Sequence, residues 1–281
     1  MASIQELLDN ATDYLTTASD SPRLDAEVLL AFVLEKNRSY LRAWNDKFLD
    51  KPTISRFNLL ISKRLDGVPI AYLTGTREFW SRDFNVSPDV LIPRPDTELL
   101  IELCLAQIPT NSICNILDLG TGSGAIAVTL AAERPNVKIF AVDASAAALE
   151  IAKENARRHN CQNVEFILSD WFAALPKIKF DLIVSNPPYI APDDEHLSQG
   201  DVRFEPKSAL ISAENGLRDI TIIASESKNY LTPRGQLWFE HGYNQAHAVQ
   251  TILTQRQYSD VQTFTDLAAQ PRVTKGKFIP I

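Results

Sequence analysis

The chain has 281 residues, 45% of them hydrophobic and 22% charged, and its formal net charge is −7. This length predicts about two globular domains, and the acidic balance argues against a partner that is bound mainly through its phosphates. No apolar stretch reaches the roughly 18 residues of a membrane span, and the first residues lack the basic and apolar regions of a signal peptide. The three cysteines lack metal-ligand spacing, so we expect no disulfide, no metal site and a reducing, cytoplasmic location.

Residues 1–75 have the periodicity of helices. Ser21-Pro22 predicts the start of a helix that runs through Leu34. On either side of it, apolar residues recur at helical spacing, at Ile4, Leu7, Leu8, Ala11 and Leu15 and again at Ile54, Phe57, Leu60 and Ile61. We therefore expect an N-terminal helical bundle domain that either recognises a partner or only stabilises the chain.

Residues 76–92 predict a β-hairpin linker, because apolar and polar residues alternate from Glu78 to Ile92. The next segment contains Pro93-Arg94-Pro95-Asp96-Thr97-Glu98, in which Asp96 or Thr97 is expected to cap a helix that runs through Leu105. Arg94 and Glu98 either brace a site or form an ion pair one helical turn apart.

Residues 93–281 predict an α/β domain. Strands are expected at 115–119, 138–142, 164–168, 180–184 and 236–240, with helices between them and two more strand-like stretches in 259–279. Alternation of this kind implies a mostly parallel, Rossmann-like sheet covered by helices on both faces.

A glycine-rich loop follows the first of these strands, and it predicts a nucleotide-type cofactor site. Its residues are Gly120, Thr121, Gly122, Ser123 and Gly124. Glycines let the backbone turn sharply and approach a ligand, and the helix behind them offers free N–H groups. The loop also satisfies a loose dinucleotide fingerprint, so a nicotinamide cofactor is one of two candidates at this point.

Polar residues at the ends of the other strands favour S-adenosylmethionine. Asp143 is placed to bind both hydroxyls of a ribose, and Asp118 to hold the amino end of methionine. Asp170 and Trp171 are placed to contact the edge and the face of an adenine. The alternatives are a turn residue for Asp143, a turn residue or helix cap for Asp170, and a core aromatic for Trp171.

The tetrapeptide Asn186-Pro187-Pro188-Tyr189 ends the fourth strand. Two prolines stop the strand and stiffen the loop, because neither can donate to a sheet ladder. The Asn186 side-chain oxygen and the Pro187 carbonyl can then accept from one planar NH2 group, with the Tyr189 ring beside it. An ordinary Asn-Pro turn is the alternative.

The order of these motifs resembles that of class I S-adenosylmethionine-dependent methyltransferases. More closely, the chain resembles the bacterial family of peptide chain release factor N5-glutamine methyltransferases. The resemblance covers nearly the whole chain and rests on the segments Arg77–Trp80, Val90–Glu98, Asp118–Gly124, Asn186–Ile190 and Asp201–Pro206. Ser81 departs from the family pattern, in which glycine is expected after the aromatic pair.

The resemblance implies a fold, a reaction and a set of site residues. The fold would be a helical bundle, a hairpin linker and a seven-stranded mixed sheet. The reaction would methylate the glutamine of the Gly-Gly-Gln motif in class 1 release factors, a protein substrate, by an enzyme expected to be monomeric. Gly120 through Gly124, Asp143, Trp171 and Asn186 would contact the cofactor. Asn186, Pro187, Pro188 and Tyr189 would bind the glutamine, and Asn186, Pro187 and Tyr189 would act in catalysis.

Other functions fit parts of the pattern. An adenine-N6 DNA methyltransferase would use a similar loop on a flipped base, but the net charge of −7 argues against DNA. A different protein substrate, such as a ribosomal-protein glutamine, would share the catalytic motifs. A nicotinamide oxidoreductase has no use for the Asn-Pro-Pro-Tyr loop, and a binding module without catalysis leaves every motif unexplained.

Overall fold

A computed structural model describes residues 1–280, which divide into two compact units. The helical unit comprises Met1–Thr76 together with Ser198–Phe204. The sheet unit comprises Arg77–Leu197 and the chain from Glu205 onward. None of the helices in residues 1–280 combines the length and the apolarity that crossing a membrane requires.

The helical unit is a bundle with one apolar core. Its helices are α1 (Ile4–Leu15), α2 (Pro22–Leu34), α3 (Arg38–Ala43), α4 (Lys51–Leu65) and α5 (Ile70–Thr74). Ser3 and Glu6 form a reciprocal capping box at the start of α1. The helix predicted to begin at Ser21-Pro22 is confirmed as α2, although the Ser21 side chain makes no capping hydrogen bond. All five predicted apolar positions of α1 are buried in the core.

The segment Ser198–Phe204 packs within the helical unit through one half-buried arginine. The Arg64 guanidinium lies 2.8 Å from the Asp25 carboxylate and 3.0 Å from that of Asp201. It also donates to the Gly67 and Val68 carbonyls. Because Asp25 is only 7% exposed, Arg64 supplies the charge that this carboxylate needs in order to be buried.

The sheet unit contains a two-stranded hairpin and a seven-stranded mixed sheet, which confirms the predicted α/β class. The hairpin strands are β1 (Thr76–Phe79) and β2 (Arg82–Asn85). The large sheet consists of β3 (Asn115–Leu119), β4 (Lys138–Asp143), β5 (Val164–Leu168), β6 (Phe180–Ser185), β7 (Leu231–Glu240), β8 (Tyr258–Thr265) and β9 (Pro271–Phe278). Its order is β5-β4-β3-β6-β7-β9-β8, in which β9 runs antiparallel to both neighbours and the other pairs are parallel.

Helices cover both faces of this sheet. They are α6 (Thr97–Gln107), α7 (Ala125–Glu133), α8 (Ala146–Arg158), α9 (Lys207–Leu210), α10 (Ala213–Gly216), α11 (Arg218–Glu226) and α12 (Ala246–Gln255). One core joins the sheet to α6, α7 and the hairpin, and the other joins it to α11 and α12. Two buried faces explain why the central strands are almost continuously apolar.

The hairpin is held within the sheet unit by polar contacts. Asn85 donates its backbone N–H to Asn155 of α8 at 2.7 Å, and Glu98 of α6 accepts from the Trp80 N–H at 2.9 Å. Trp80 and Ser81 form the turn, with φ of 52° and 55°. A turn with two left-handed residues favours glycine, so the structure explains why glycine is expected at the position of Ser81.

Ser81→Gly is expected to raise the free energy of unfolding by about 1 kcal/mol, because a left-handed residue with a Cβ is strained. Urea unfolding of the variant measures the gain. Ser81→Ala is the matched control, since alanine keeps the Cβ and therefore the strain. If the glycine variant is no more stable than the alanine variant, the turn is not strained.

Candidate active site

The candidate site lies at the carboxyl ends of β3, β4, β5 and β6. A cavity of about 470 Å³ opens there. Its wall includes the loop after each of these four strands, together with residues 89–97 and 206–211. Open parallel sheets bind ligands in this crevice, because neighbouring loops diverge beyond the strand ends. The structure therefore brings together the motifs that are separated along the sequence.

The glycine loop forms one wall of the cavity. Gly120, Gly122 and Gly124 have φ of 73°, 55° and 82°, in the left-handed region that favours glycine. A Cβ on Gly122 would meet no atom within 4 Å, whereas one on Gly124 would lie 3.1 Å from Ala152. Gly122 therefore borders open space, and Gly124 allows α7 and α8 to pack closely. Thr121 and Ser123 also line the cavity, although their side chains are largely buried.

Asp143 at the end of β4 fixes the shape of the glycine loop. Its Oδ2 accepts from the Gly122 N–H at 2.8 Å, and its Oδ1 accepts from the Ser145 N–H at 2.9 Å. Each carboxylate oxygen still has capacity to accept another hydrogen bond. Asp143 can thus brace the loop and bind two hydroxyl groups of a ligand.

Asp118 lies beneath the loop and is fully buried. Its Oδ2 accepts from the Thr121 hydroxyl at 2.6 Å, but its Oδ1 has no hydrogen-bond partner among the described residues. Burial raises the pKa of Asp118 to about 7, although the Thr121 hydrogen bond opposes the shift. A buried carboxyl with an unpaired oxygen is typical of a functional site.

Asp170 and Trp171 occupy the corner after β5. Both line the cavity, and the Trp171 ring would lie 3.5 Å from a Cβ on Gly120. Trp171 has a φ of 43°, an uncommon conformation for a large residue. Its ring also packs partly against the core between the sheet, α11 and α12. The Trp171 side chain therefore lines the cavity where the adenine contact was predicted, and it also contacts the core, which was the alternative.

The Asn-Pro-Pro-Tyr loop borders the same cavity, beside the glycine loop. Asn186 and Pro188 line the cavity, Pro187 is buried and Tyr189 is half-buried. The Asn186 Nδ2 donates to the Thr97 hydroxyl at 3.2 Å. Thr97 was expected only as a helix cap, and Asp96 in fact occupies the cap position, without a side-chain capping bond. The Thr97 hydroxyl is instead a partner of the candidate catalytic amide.

Hydrogen bonds from side chains to backbone carbonyls hold this loop in place. The Gln245 Nε2 donates to the Tyr189 carbonyl at 2.9 Å and to the Asn215 carbonyl at 3.2 Å. A Cβ on Gly216 would lie 2.0 Å from the Tyr189 oxygen, so only glycine fits there. The Ser185 hydroxyl donates to the Leu119 carbonyl at 2.7 Å, which links the end of β6 to the end of β3.

Glu240 is a site residue that the sequence analysis missed. It ends β7, one residue beyond Phe239, which pairs with Ser185 in parallel register. Glu240 thus lies beside Asn186 and is only 1% exposed. Burial raises its pKa to about 7, and hydrogen bonding to Thr97 and Asn186 opposes the shift. The sequence does contain a signal for Glu240. It is an acid at the end of an apolar strand, as Asp143 is at the end of β4.

Of the two alternatives for Arg94 and Glu98, the ion pair between them does not form. Arg94 forms an ion pair with the buried Glu205, and Glu98 binds the Trp80 N–H instead. Glu205 also accepts from the Ile92 N–H at 3.2 Å. Arg94 therefore braces one wall of the cavity with a partner distant in sequence, because only the fold brings residue 205 beside residue 94.

The arrangement suits a cationic ligand next to a planar amide. Four acids line the cavity, Asp89, Asp143, Asp170 and Asp219, against one paired base, Arg94. Such a lining attracts positive charge. The Asn186 side chain, with its Nδ2 bonded to Thr97, is left with an acceptor oxygen for a second ligand group.

Comparison with known proteins identifies two family matches. Residues 96–204 match the Methyltransferase small domain family, and residues 6–75 match the PrmC N-terminal domain family. Proteins named Release factor glutamine methyltransferase are similar over almost the whole chain. The Vibrio cholerae protein is 50% identical, with 98% of this chain and 96% of its own length covered. The Escherichia coli protein is 48% identical, with 93% and 94% covered.

Solved structures share the fold. A methyltransferase from Pyrococcus furiosus has a TM-score of 0.54 at 17% identity, covering 78% of this chain and 98% of its own. The 16S rRNA N2 G1207 methyltransferase of T. Thermophilus, in complex with AdoMet and guanosine, has a TM-score of 0.53 at 18% identity. That match covers 72% of this chain and 49% of the other. Both confirm the class I methyltransferase architecture of the sheet unit.

Asp118→Asn is expected to become more stable relative to the wild type as the pH rises from 5 to 8. The folded pKa of Asp118, about 7, exceeds its ordinary value of 3.8. Its contribution to stability is therefore fully present below about pH 4 and is lost as the pH rises through 7. At 1.36 kcal/mol per pKa unit, the change in the stability of the variant relative to the wild type over the whole titration is at most about 4 kcal/mol.

Urea unfolding at several pH values measures this difference. Glu102→Gln, an exposed acid on α6, is the control and should show no such trend. A constant difference between Asp118→Asn and the wild type across this range would mean that Asp118 is already ionised in the folded state.

Proposed function

The chain belongs to the family of release factor glutamine methyltransferases, and we propose that it methylates the N5 amide nitrogen of the Gly-Gly-Gln glutamine in class 1 release factors. The methyl donor is S-adenosylmethionine. The observation that supports this activity best is the position of the Asn186 side chain, which borders the glycine-loop cavity with its amide nitrogen bonded to Thr97.

The residues of the cavity fit S-adenosylmethionine. This cofactor has a positively charged sulfonium, an amino group, a ribose and an adenine. The open space at Gly122, the unpaired oxygen of Asp118 and the spare acceptors of Asp143 match this combination of groups. We assign the cofactor contacts to Gly120, Thr121, Gly122, Ser123, Gly124, Asp143, Trp171 and Asn186.

The reaction requires precise orientation of a weak nucleophile. A carboxamide nitrogen is unreactive because its lone pair is delocalised into the carbonyl. In our proposal the Asn186 Oδ1 and the Pro187 carbonyl accept its two hydrogens, while Pro188 and Tyr189 pack against the amide plane. The cofactor supplies an electrophilic methyl group on its sulfonium. Orientation of this kind can contribute roughly 7–11 kcal/mol to lowering a barrier.

The rigidity of the loop supports this role. Gln245 donates a hydrogen bond to the loop backbone, and Ser185, just before the loop, donates to the end of β3. The Asn186 oxygen and the Pro187 carbonyl are thus held in place before the substrate arrives. An acceptor that is already oriented costs little reorganisation during the reaction. The half-buried Tyr189 ring, whose hydroxyl pKa is raised by burial, is expected to remain neutral.

We assign recognition of the release factor to residues 1–75. The match of residues 6–75 to the PrmC N-terminal domain supports a role specific to this family. Tyr14, Trp44 and Phe48 of this segment are each more than half exposed, and exposed aromatic side chains are typical of binding surfaces. We propose a monomeric enzyme that binds no nucleic acid, in agreement with its net charge of −7.

Incubation with a class 1 release factor and S-adenosylmethionine is expected to add one methyl group to the Gly-Gly-Gln glutamine. Mass spectrometry of the digested factor locates the modification. A short peptide with the same motif should be a much poorer substrate, since it lacks the surface that residues 1–75 would bind. Methylation of DNA adenine or of a ribosomal protein in parallel reactions, with none on the release factor, would overturn the proposal.

Asn186→Ala is expected to lower kcat by roughly 10²-fold, the scale of losing the orientation of a reacting group. Cofactor affinity, measured by calorimetry, should change far less, since the glycine loop and Asp143 are intact. Asn136→Ala is a matched control, because Asn136 is exposed and precedes β4 at the opposite edge of the sheet. Equal losses of turnover and of cofactor affinity would contradict the role assigned to Asn186.

A further inference from the structure

We propose that Glu240 is a positioning residue that determines which atom of the Asn186 amide faces the substrate. The inference rests on the proposed function and adds to it a residue outside the cofactor and glutamine motifs. It follows from the hydrogen-bond polarity of three neighbouring side chains, Asn186, Thr97 and Glu240.

The three side chains come from three different elements. Asn186 follows β6, Glu240 ends β7 and Thr97 begins α6. Glu240 and Thr97 are 1% and 4% exposed, so their side chains are removed from bulk solvent. The Asn186 Nδ2 donates to the Thr97 Oγ1 at 3.2 Å, and both side chains lie close enough to the Glu240 carboxylate to lower its pKa. The Glu240 Oε2 has no hydrogen-bond partner among the described residues.

An ionised Glu240 allows one direction of hydrogen bonding in this group. A carboxylate can only accept, and a threonine hydroxyl has one hydrogen to donate. When Thr97 donates to Glu240, the Thr97 oxygen must accept from Asn186. The Asn186 nitrogen is thereby turned inward, and its oxygen is the atom left for the amide hydrogens of the substrate.

A protonated Glu240 reverses this direction. Its O–H donates to Thr97, and the Thr97 hydrogen becomes free to bond to the Asn186 oxygen. The amide can then rotate so that its nitrogen, a donor, faces the cavity. A donor cannot bind the N–H groups of the glutamine amide, so the rotated form is inactive.

The surroundings of Glu240 place this change near neutral pH. Burial raises the pKa of Glu240 to about 7, and Asp96 at the start of α6 adds to the shift. Arg272 in β9 opposes it, as do the hydrogen bonds from Thr97 and Asn186. Tyr189 faces it from the loop after β6 as a neutral phenol. His241, the residue after the end of β7, forms a hydrogen bond with the Thr274 hydroxyl at 2.8 Å instead. Activity is therefore expected to fall as the pH drops below about 7.

The first test compares the pH profiles of the wild type and Glu240→Gln with intact release factor. The wild-type kcat should fall about tenfold per pH unit on the acid side, as for one essential ionisation. Both profiles are taken at saturating S-adenosylmethionine, because the positive charge of the bound cofactor keeps Asp118 ionised. In Glu240→Gln the acid limb should then be absent, and kcat at pH 8 should be lower by about tenfold or more. Cofactor affinity should stay within about threefold, because the cavity contacts are unchanged.

Thr97 provides a second pair of variants. Thr97→Val removes the hydroxyl that relays the hydrogen bond and should lower kcat, whereas Thr97→Ser keeps it and should restore kcat. Thr129→Val is the matched control, since Thr129 is fully buried and its hydroxyl has no partner among the described residues. Thermal unfolding of each variant verifies that it is folded.

A measurement without turnover tests the network by itself. The side-chain amide ¹⁵N–H resonances of Asn186, assigned by their loss in Asn186→Ala, should titrate with a midpoint near pH 7 in the wild type. They should not titrate in Glu240→Gln.

The outcomes separate the two proposals. A titrating Asn186 amide in a protein that fails to methylate release factor would overturn the proposed substrate and support the network. An Asn186 amide that does not titrate, or a Glu240→Gln variant that keeps the acid limb and full kcat, would overturn the role of Glu240. Parallel losses of kcat and cofactor affinity would mean that Glu240 only maintains the structure.

Discussion

The parallel pairing of β6 between β3 and β7 is the constraint on which the site depends. The register places Leu119 beside Ser185 and Ser185 beside Phe239. This register requires three features to lie side by side at the strand ends. They are the glycine loop, Asn186 and Glu240. Both faces of the sheet are buried, so a one-residue slip of β6 would turn each of its apolar side chains into the opposite core, where the packing is made for other side chains. The packing of the core thus positions the Asn-Pro-Pro-Tyr loop.

Two buried carboxyl groups lie at the candidate site at a cost in stability. Asp118 lies under the glycine loop and Glu240 under the Asn186 amide, and burial raises the pKa of both to about 7. An ionised carboxylate in such a place is destabilising unless hydrogen bonds compensate. Each group has one oxygen without a hydrogen-bond partner among the described residues. Buried acids with shifted pKa values are common at active sites, where a bound cation can offset their charge.

The chain segment between the Asn186 loop and Glu205 is divided between the two units. Residues 198–204 pack in the helical unit through Arg64, whereas Glu205 binds Arg94 in the sheet unit. The segment that the sequence marks as typical of this family, Asp201–Pro206, therefore contains anchors in both. Asp201 pairs with the half-buried Arg64, and Glu205 pairs with Arg94 at a wall of the cavity. Two charged residues only four positions apart thus form ion pairs in two different units.

Local sequence determined much of this protein. The apolar strands, the positive-φ glycines after β3, the acid after β4 and the Asn-Pro-Pro-Tyr loop after β6 follow from period, steric limits and the missing N–H of proline. The fold class and the family follow from their order. Only the tertiary structure decided the partners: Glu205 rather than Glu98 for Arg94, Thr97 as a partner of Asn186, and Glu240 beside both. Local periodicity does not encode which strands are neighbours or which side chains share a buried pocket, since both depend on contacts between residues distant in sequence.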